Sequence, residues 1–173
     1  MSQIAINRVT NANVYLNGNS MLGKASEVNL PQLKTLLSDH MALGLYGKVE
    51  LPTGLDKLEA TIKWTSYYGD VLAATANPFA THEIQVRSSI DQYSAAGRTG
   101  QVAAVCYIRG TFKDPSLGNF KQHDNVEVDA KINVTAVRFE IDGKPILEID
   151  VLANIFKIQG VDVLQTYRQN IGG

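Results

Sequence analysis

The sequence is poor in the residues that metal proteins, disulfide-stapled domains and nucleic-acid-binding proteins need. Its 173 residues include one cysteine and three histidines, and 16 Lys and Arg balance 17 Asp and Glu for a net charge of -1. The lone Cys106 cannot form a disulfide within the chain, and its apolar surroundings predict a buried thiol. Binding DNA without sequence preference requires clustered cations, whereas Lys and Arg are scattered here among acids. We therefore expect no nucleic-acid ligand.

Long apolar runs are also missing. No stretch approaches the roughly 18 apolar residues that cross a bilayer, and residues 1–10 lack the charged start and apolar core of a signal peptide. We therefore predict no membrane anchoring.

The usual marks of catalysis are absent as well. His40, His82 and His123 stand apart without metal-ligand spacing, which predicts surface or loop histidines. Glu148 and Asp150 share one face of a candidate strand, a spacing more typical of solvated or ion-paired acids than of a catalytic pair. The sequence contains no phosphate-binding glycine loop and no nucleophile motif. The sequence thus predicts no catalytic, cofactor or metal site, and a protein that is not an enzyme.

What the sequence does contain is strand periodicity. Apolar residues make up 45% of the chain and charged residues 19%, enough for one folded domain. Apolar and polar residues alternate along residues 57–64, 101–108 and 126–134, which predicts strands with one face on a core. The apolar positions of the first and third are Leu58, Ala60, Ile62 and Trp64, then Val126, Val128, Ala130, Ile132 and Val134.

The alternation slips by one residue after Ala136, where Phe139 and Ile141 become the apolar positions. A one-residue slip turns the following side chains to the other face. Either a β-bulge near Ala136 and Val137 restores the apolar set to the core, or the strand bends there from one sheet to another.

Turn signals separate shorter strand candidates at residues 13–16, 83–86, 145–149 and 153–158. Asn17-Gly18-Asn19 and Asp142-Gly143 predict tight hairpins, because Asn, Asp and Gly tolerate positive φ. A longer loop spans residues 113–125.

Helical content is small: a short helix at residues 68–75, and a last one that Asp162 could cap. Residues 33–41 fit a helix or a strand. From these patterns alone the chain is a soluble, mainly β domain with polar strand faces. A ligand-carrying barrel would need inward aromatics around a cavity, yet aromatics are only 8%.

Seven short motifs, in order and at matching spacing, give the chain a family resemblance. From about residue 97 onward the chain resembles the major tail tube proteins of contractile-tailed phages and R-type pyocins, and the N-terminal half resembles them more loosely. The motifs are Asn13 to Gly18, Gly54-Leu55 with Leu58-Glu59, Arg109-Gly110 with Phe112-Lys113, Arg138 to Lys144, Glu148-Ile149-Asp150, Gly160-Val161-Asp162, and Arg168 with Asn170-Ile171-Gly172.

The resemblance implies a mainly β fold: a β-sandwich or barrel of the tail tube type with a short flanking helix. It implies one domain over residues 1–173, with an extended arm or hairpin at about residues 32–57 and a C-terminal tail at 162–173. The extended form of residues 33–41 is thereby favoured over the helical one.

The resemblance also implies the partners. Six copies form a ring, and stacked rings make a tube inside a contractile sheath. Tape measure protein and DNA lie in the lumen, DNA as a passenger and not a ligand, and a baseplate or tail initiator starts assembly. The protein would be synthesised in the bacterial host cytoplasm and would end in the virion. The alternatives are the tube of a headless bacteriocin and a secretion tube of the haemolysin-coregulated protein type.

Subunit interfaces are then the only sites we expect, and the arm and the tail are the candidates. Apolar arm residues lie among Gly44, Gly47, Pro52 and Gly54, so the arm has few local means of burying them. In the tail, an acid and a base could pair with a neighbouring copy. The predicted interface residues are Leu43, Leu45, Val49, Leu51, Asp162 and Arg168.

Overall fold

A computed structural model describes residues 4–173, which form twelve strands and two short helices. The strands are β1 Ile6–Leu16, β2 Asn19–Ser20, β3 Ala25–Asn29, β4 Thr35–His40, β5 Val49–Leu55, β6 Leu58–Trp64, β7 Thr81–Ser94, β8 Gly97–Lys113, β9 Val128–Ile141, β10 Lys144–Asp150, β11 Ile155–Ile158 and β12 Val161–Asp162. The helices are α1 Gly69–Ala76 and α2 Gln165–Asn170. The mainly β prediction is confirmed.

Ten strands form one antiparallel sheet in the order β12-β11-β10-β9-β8-β7-β1-β2, with β6 joined to β9 and β3 to β6. The sheet curls around a core, because β1 and β3 lie at opposite ends of a six-strand path yet line the same cleft. Among the described residues β1 and β3 share no ladder, so the curl stays open.

Strand β9 is the branch point of the sheet, and the predicted bulge lies on it. Arg109 faces Ala136 and Gly110 faces Val134, so Thr135 is the extra residue. On its other edge β9 pairs with β6 up to Val134 and with β10 from Ala136. The predicted bulge is therefore confirmed, whereas the alternative of a bend into a second sheet is wrong, because β6, β9 and β10 belong to one sheet and β9 only changes neighbours there.

Two predicted hairpin turns are confirmed. Asn17 and Gly18 have φ of 49° and 83°, and Asp142 and Gly143 have φ of 53° and 71°. Two positive φ values are what a two-residue type I′ turn requires. These turns fix the register on either side and so decide which face of each strand meets the core.

One cross-strand row shows how the core is built. Leu16, Ile84, Ile108, Val137, Ile149 and Phe156 face one another in turn across six strands. The first five are buried, and Phe156 packs against the core from its edge. The largest fully buried side chains near this row and on β6 and β9 are Trp64, Phe112, Leu58, Ile62, Ile84 and Ile132. Removing such side chains from water is the main favourable term in folding.

The next row in register lies on the opposite, polar face of the sheet. Tyr15, Gln85, Tyr107, Arg138, Glu148, Lys157 and Asp162 face one another in turn across seven strands. The guanidinium groups of Arg87 and Arg138 lie over the rings of Tyr15 and Tyr107, 5.3 Å and 5.9 Å from the ring centres.

Strands β4 and β5 form a separate two-stranded sheet, which we call the arm hairpin. Its ladder runs from Thr35 facing Leu55 to His40 facing Val49. The extended form of residues 33–41 is confirmed. Every residue of β4 is exposed, and so is every residue of β5 before Leu55.

Three local predictions are wrong. Asp162 is not the N-cap of the last helix, since Leu164 holds that position and has no side-chain cap, and the backbone N–H that Asp162 accepts, at 3.0 Å, is that of Leu164 itself. His82 is buried and is not a surface histidine. Strands β1 and β7 are far longer than the four residues predicted for each, because a polar stretch becomes a strand when a neighbour imposes its ladder.

Candidate subunit interfaces

Exposed apolar side chains are concentrated in two parts of the surface. Of 24 exposed large hydrophobic residues among residues 4–173, nine lie in the arm region and seven lie between residues 151 and 171. The nine are Leu33, Leu36, Leu37, Met41, Leu43, Leu45, Tyr46, Val49 and Leu51; the seven are Val151, Leu152, Ile158, Val161, Val163, Tyr167 and Ile171. Clustered apolar exposure of this kind marks surfaces that a partner covers.

The arm tip, residues 42–47, is the most exposed apolar point of the chain. Leu43 and Tyr46 are fully exposed, and Leu45 is half exposed. The tip itself carries no charged residue. The nearest charges, Asp39 and Lys48, pair with each other at 2.5 Å across the hairpin. The tip is therefore an uncharged, exposed apolar turn, and the nearest acid and base neutralise each other. The predicted Val49 and Leu51 are half exposed on β5 below it.

The tail is held by an ion pair within one chain. Arg168 donates to Asp162 at 2.6 Å and to the backbone carbonyl of Asn154 at 2.7 Å. The hydrogen bond from Arg168 holds the pKa of the Asp162 carboxyl below its ordinary value of 3.8. Arg168 therefore clamps α2 to β12 and to the turn before β11. In a single chain the two predicted residues bind each other, and their role toward a neighbouring copy stays a prediction.

A groove separates the base of the arm from the tail. It is a cavity of about 680 Å³ between residues 52–55 of β5 and a wall formed by the end of β10, by β11 and by the tail. Phe156, Val163 and Tyr167 give that wall its apolar character. The arm and the tail, which the sequence predicted as two separate interfaces, thus form the two walls of one groove. The sequence pattern did not indicate this proximity.

The N-terminal strand is an exposed apolar region that the sequence analysis missed. Ile4, Ile6 and Val9 are all more than half exposed. Ile6 and Val9 pair with Tyr93 and Ile90 of β7. This end of β7 lies beside the part of β8 that has no β9 neighbour. The alternation of Ile4 and Ile6 was a usable signal for this strand, whereas residues 87–94 carry too few apolar positions to give one.

On the polar face, acids and bases neutralise one another. Lys113 binds Glu59, and this hydrogen bond lowers the pKa of the Glu59 carboxyl. Lys63 binds Glu27 at 3.1 Å, which lowers the pKa of Glu27 and raises that of Lys63. Further pairs on this face are Arg109 with Asp150, Arg138 with Glu140, and Lys157 with Glu148. Such exposed pairs add little stability.

Buried polar groups show no catalytic arrangement. Burial raises the pKa of the Cys106 thiol to about 12, which keeps it protonated and inert. His82 Nδ1 lies 2.9 Å from the Asn17 amide nitrogen and its ring packs against Phe112. Residues 4–173 contain no cluster of three or more His, Cys, Asp or Glu side chains suited to a metal ion. Within the same residues, neither helix has the length and apolar character to cross a membrane.

Comparison with known proteins identifies the kind of assembly. The sequence model of the family described as phage tail tube protein FII matches residues 6–172. The chain belongs to this phage tail tube family. It is 32% identical over 167 residues to the tail tube protein of Escherichia phage P2, covering 92% of this chain and 94% of that one. It is also 28% identical over 149 residues to the major tail tube protein of Serratia phage KSP20, covering 85% and 84%.

The chain is thus a structural phage tail tube protein, a virion component that assembles into a tube within the phage tail. Its fold gives physical reasons for the motifs that carried the resemblance. A Cβ at Gly110 would lie 2.3 Å from the Asn133 carbonyl oxygen, so no larger residue fits without a backbone shift. Gly160 has φ of 84° in the turn before β12. The Arg109 guanidinium donates a hydrogen bond to the Asp150 carboxylate at 2.5 Å.

Proposed function

We propose that the chain is the major tail tube subunit of a contractile tail, in which six copies form a ring and rings stack into a hollow tube. A sheath protein surrounds the tube, and a baseplate or tail initiator nucleates it. Tape measure protein and DNA occupy the lumen, and sheath contraction drives the tube through the host envelope. The subunit is synthesised in the host cytoplasm.

We further propose that residues 1–173 form a single tail tube domain whose arm, residues 32–57, and tail, residues 162–173, are the subunit interfaces. The observation that carries this is the concentration of exposed large hydrophobic residues in the arm and near the tail. A monomer with that surface would aggregate, whereas a repeating tube covers it.

Open strand edges support the same proposal. In the described part of the chain, β3 pairs only with β6, and residues 97–102 of β8 pair only with β7. Each leaves a row of backbone groups free to pair with another chain. Pairing these two edges with neighbouring copies around a ring would cover them.

The polar sheet face supports a lumen through which DNA passes without binding. Several of its cations are paired with acids, as in Arg138 with Glu140 and Lys157 with Glu148. Phosphates gain affinity by meeting unpaired cations and releasing counterions. A gel-shift assay at physiological salt should show negligible DNA binding, and tight, salt-sensitive binding would contradict a passenger role.

Electron microscopy of the purified protein tests the assembly directly. We expect rings or tubes, with sixfold symmetry in end-on views, at high concentration or after addition of a tail initiator. Deleting residues 44–52, or truncating after Val161, should leave a folded protein by circular dichroism that forms no tubes. A wild-type protein that stays monomeric even with initiators would refute the proposal. Normal tubes from both variants would refute the interface assignment alone.

A further inference from the structure

His82 is a buried titratable side chain that the proposed assembly does not use. It is 8% exposed at the start of β7, and the centre of its ring lies 5.2 Å from that of Phe112. Its Nδ1 lies 2.9 Å from the amide nitrogen of Asn17, in the turn between β1 and β2. Its Nε2 is also buried and has no hydrogen-bond partner among the described residues. The ring is therefore held by a single polar contact.

The hydrogen bonds of Asn17 fix which nitrogen of His82 carries the proton. The backbone N–H of Glu83 can only donate, and it donates to Asn17 Oδ1 at 3.0 Å. The side-chain amide of Asn17 therefore turns its N–H toward His82, so that Nδ1 of the ring must accept. The backbone N–H of Asn17 also donates to the Glu83 carbonyl, at 2.7 Å. This arrangement requires a neutral His82 whose single ring proton lies on Nε2.

We propose that Asn17 and His82 form an acid-sensitive latch, which opens the β1–β2 turn when His82 takes up a proton. An imidazolium carries a proton on both nitrogens, so Nδ1 would confront the N–H of Asn17. Turning the Asn17 amide over would instead set its NH₂ group against the N–H of Glu83. Either orientation loses a hydrogen bond, and a buried donor without a partner is costly. Moving the turn away from the ring relieves the conflict.

In the described part of the chain, no carboxylate is placed to stabilise a charged His82. None of the ion pairs there includes this histidine. Its neighbours on the core side of the sheet are uncharged, since Gly110 faces it on β8 and Phe112 packs against its ring. Glu83 lies on the other side of the sheet, where it faces Arg109. A proton on the ring would therefore bury a charge without a counter-ion.

The latch controls the open side of the curled sheet. Strand β2 pairs with β1 at only two positions, and Met21 just after it donates its N–H to the Val14 carbonyl at 2.7 Å. Met21 is buried and lines the cleft between β1 and β3. Further along the chain, Lys24 pairs with Asp70 of α1 at 3.6 Å, which anchors the segment. Opening the turn should therefore release residues 17–21 and uncover the cleft while the core strands stay folded.

The direction of the pH dependence follows from the protons that the two states bind. In the closed latch the ring stays neutral, whereas a released imidazole binds a proton at about pH 6.5. The open state therefore binds more protons, so acid favours opening. Stability of the closed turn is fully present above about pH 7 and decreases by about tenfold for each pH unit below about 6. This window lies above the range of about pH 4 in which exposed carboxylates titrate.

Amide hydrogen exchange of the unassembled chain tests the latch. Between about pH 7.5 and about pH 5.5, the protection factors of the Asn17 and Met21 amides should fall roughly tenfold. The turn at Asp142 is an internal control, because it also has positive φ and its N–H is bonded to the Ala103 carbonyl at 2.8 Å. Its protection factor should not change. Equal protection of the Asn17 turn at both pH values, or an equal fall in both turns, would overturn the inference.

Two substitutions separate the latch from other effects of acid. His82→Asn keeps a side-chain acceptor for the Asn17 amide but cannot take up a proton, so protection of the turn should no longer depend on pH. Asn17→Asp still accepts the N–H of Glu83 and offers a carboxylate to the ring, so protonation of His82 should now close the turn and protection should rise as the pH falls. The wild-type pH dependence in either variant would contradict the latch.

Nitrogen-15 NMR of the imidazole gives a measurement that needs no variant. At about pH 7.5, His82 should show an unprotonated Nδ1 and a protonated Nε2, and the exposed His40 and His123 provide reference signals. As acid is added, the imidazolium signal of His82 should grow only as the turn loses protection. A protonated Nδ1 at neutral pH, or an imidazolium in a turn that stays protected, would overturn the inference. The latch lies within one chain, so these outcomes do not bear on tube assembly.

Discussion

The curled sheet and the arm hairpin are both built from antiparallel strands, but the sheet buries one face of its strands whereas the arm leaves both faces exposed. On β6 every second residue is buried, from Leu58 to Trp64. On β4 and β5 only Leu55, at the base, is even partly covered. Both regions have paired backbones, so hydrogen bonding does not separate them. The comparison shows that apolar side chains form a core only where the sheet curls around them, and that in the arm they stay exposed.

Truncating the core should give the largest effect. Phe112 is 1% exposed on β8, and Phe112→Ala should lower the free energy of unfolding by about 3–5 kcal/mol, because it removes buried area and leaves a cavity. Leu43→Ala in the arm should change it by less than about 0.5 kcal/mol. Urea titrations of both variants measure the difference, and similar losses would show that the arm is part of the core.

The second largest loss of stability should come from Gly110, where two backbones approach closely. Gly110→Ala places a Cβ 2.3 Å from the Asn133 carbonyl oxygen. The bulge beside Thr135 would have to open, at a cost of about 1–3 kcal/mol. Gly47→Ala is the control in the arm, where a Cβ meets nothing within 4 Å. Thermal unfolding followed by circular dichroism should separate the two, and an unchanged Gly110→Ala midpoint would contradict the close packing.

Hydrogen exchange should sharpen the comparison without any mutation. In unassembled protein, amides of β6, β8 and β9 should exchange slowly because their opening exposes the core, whereas amides of β4 and β5 should exchange fast. In assembled tubes we expect the arm amides to become protected as neighbours cover them. Protection of the arm before assembly would mean that it packs on its own chain.

Lowering the pH far enough to protonate Asp162 should have the smallest effect on stability, and this effect should be confined to the tail. Because its pKa is lowered in the folded state, Asp162 contributes stability above its unfolded pKa of about 3.9 that is lost as pH falls through the folded value. We expect limited proteolysis near residue 168 to rise below about pH 4, ahead of global unfolding. The Arg168→Ala variant should be cleaved at the same place already at neutral pH, because it lacks the hydrogen bonds to Asp162 and Asn154. Equal tail protection in both proteins would argue against the clamp.

Several features followed from the sequence by itself. Alternation at Leu58 to Trp64 and at Val128 to Val134 determined buried strand faces, because the period of a strand is fixed at two. Asn17-Gly18 and Asp142-Gly143 determined their turns, because few residues accept positive φ. The arm and the tail also stood out as interface candidates, by resemblance and by apolar residues without local cover.

Tertiary structure decided the rest, because it depends on which strands become neighbours. The slip in alternation indicated a bulge near Ala136, but only the tertiary structure shows that β9 exchanges β6 for β10 there. The burial of His82 and the length of β7 are likewise set by pairing with β1 and β8. The groove also depends on the tertiary structure, since its walls come from β5, β10, β11 and the tail, segments about a hundred residues apart that only the folded chain brings together.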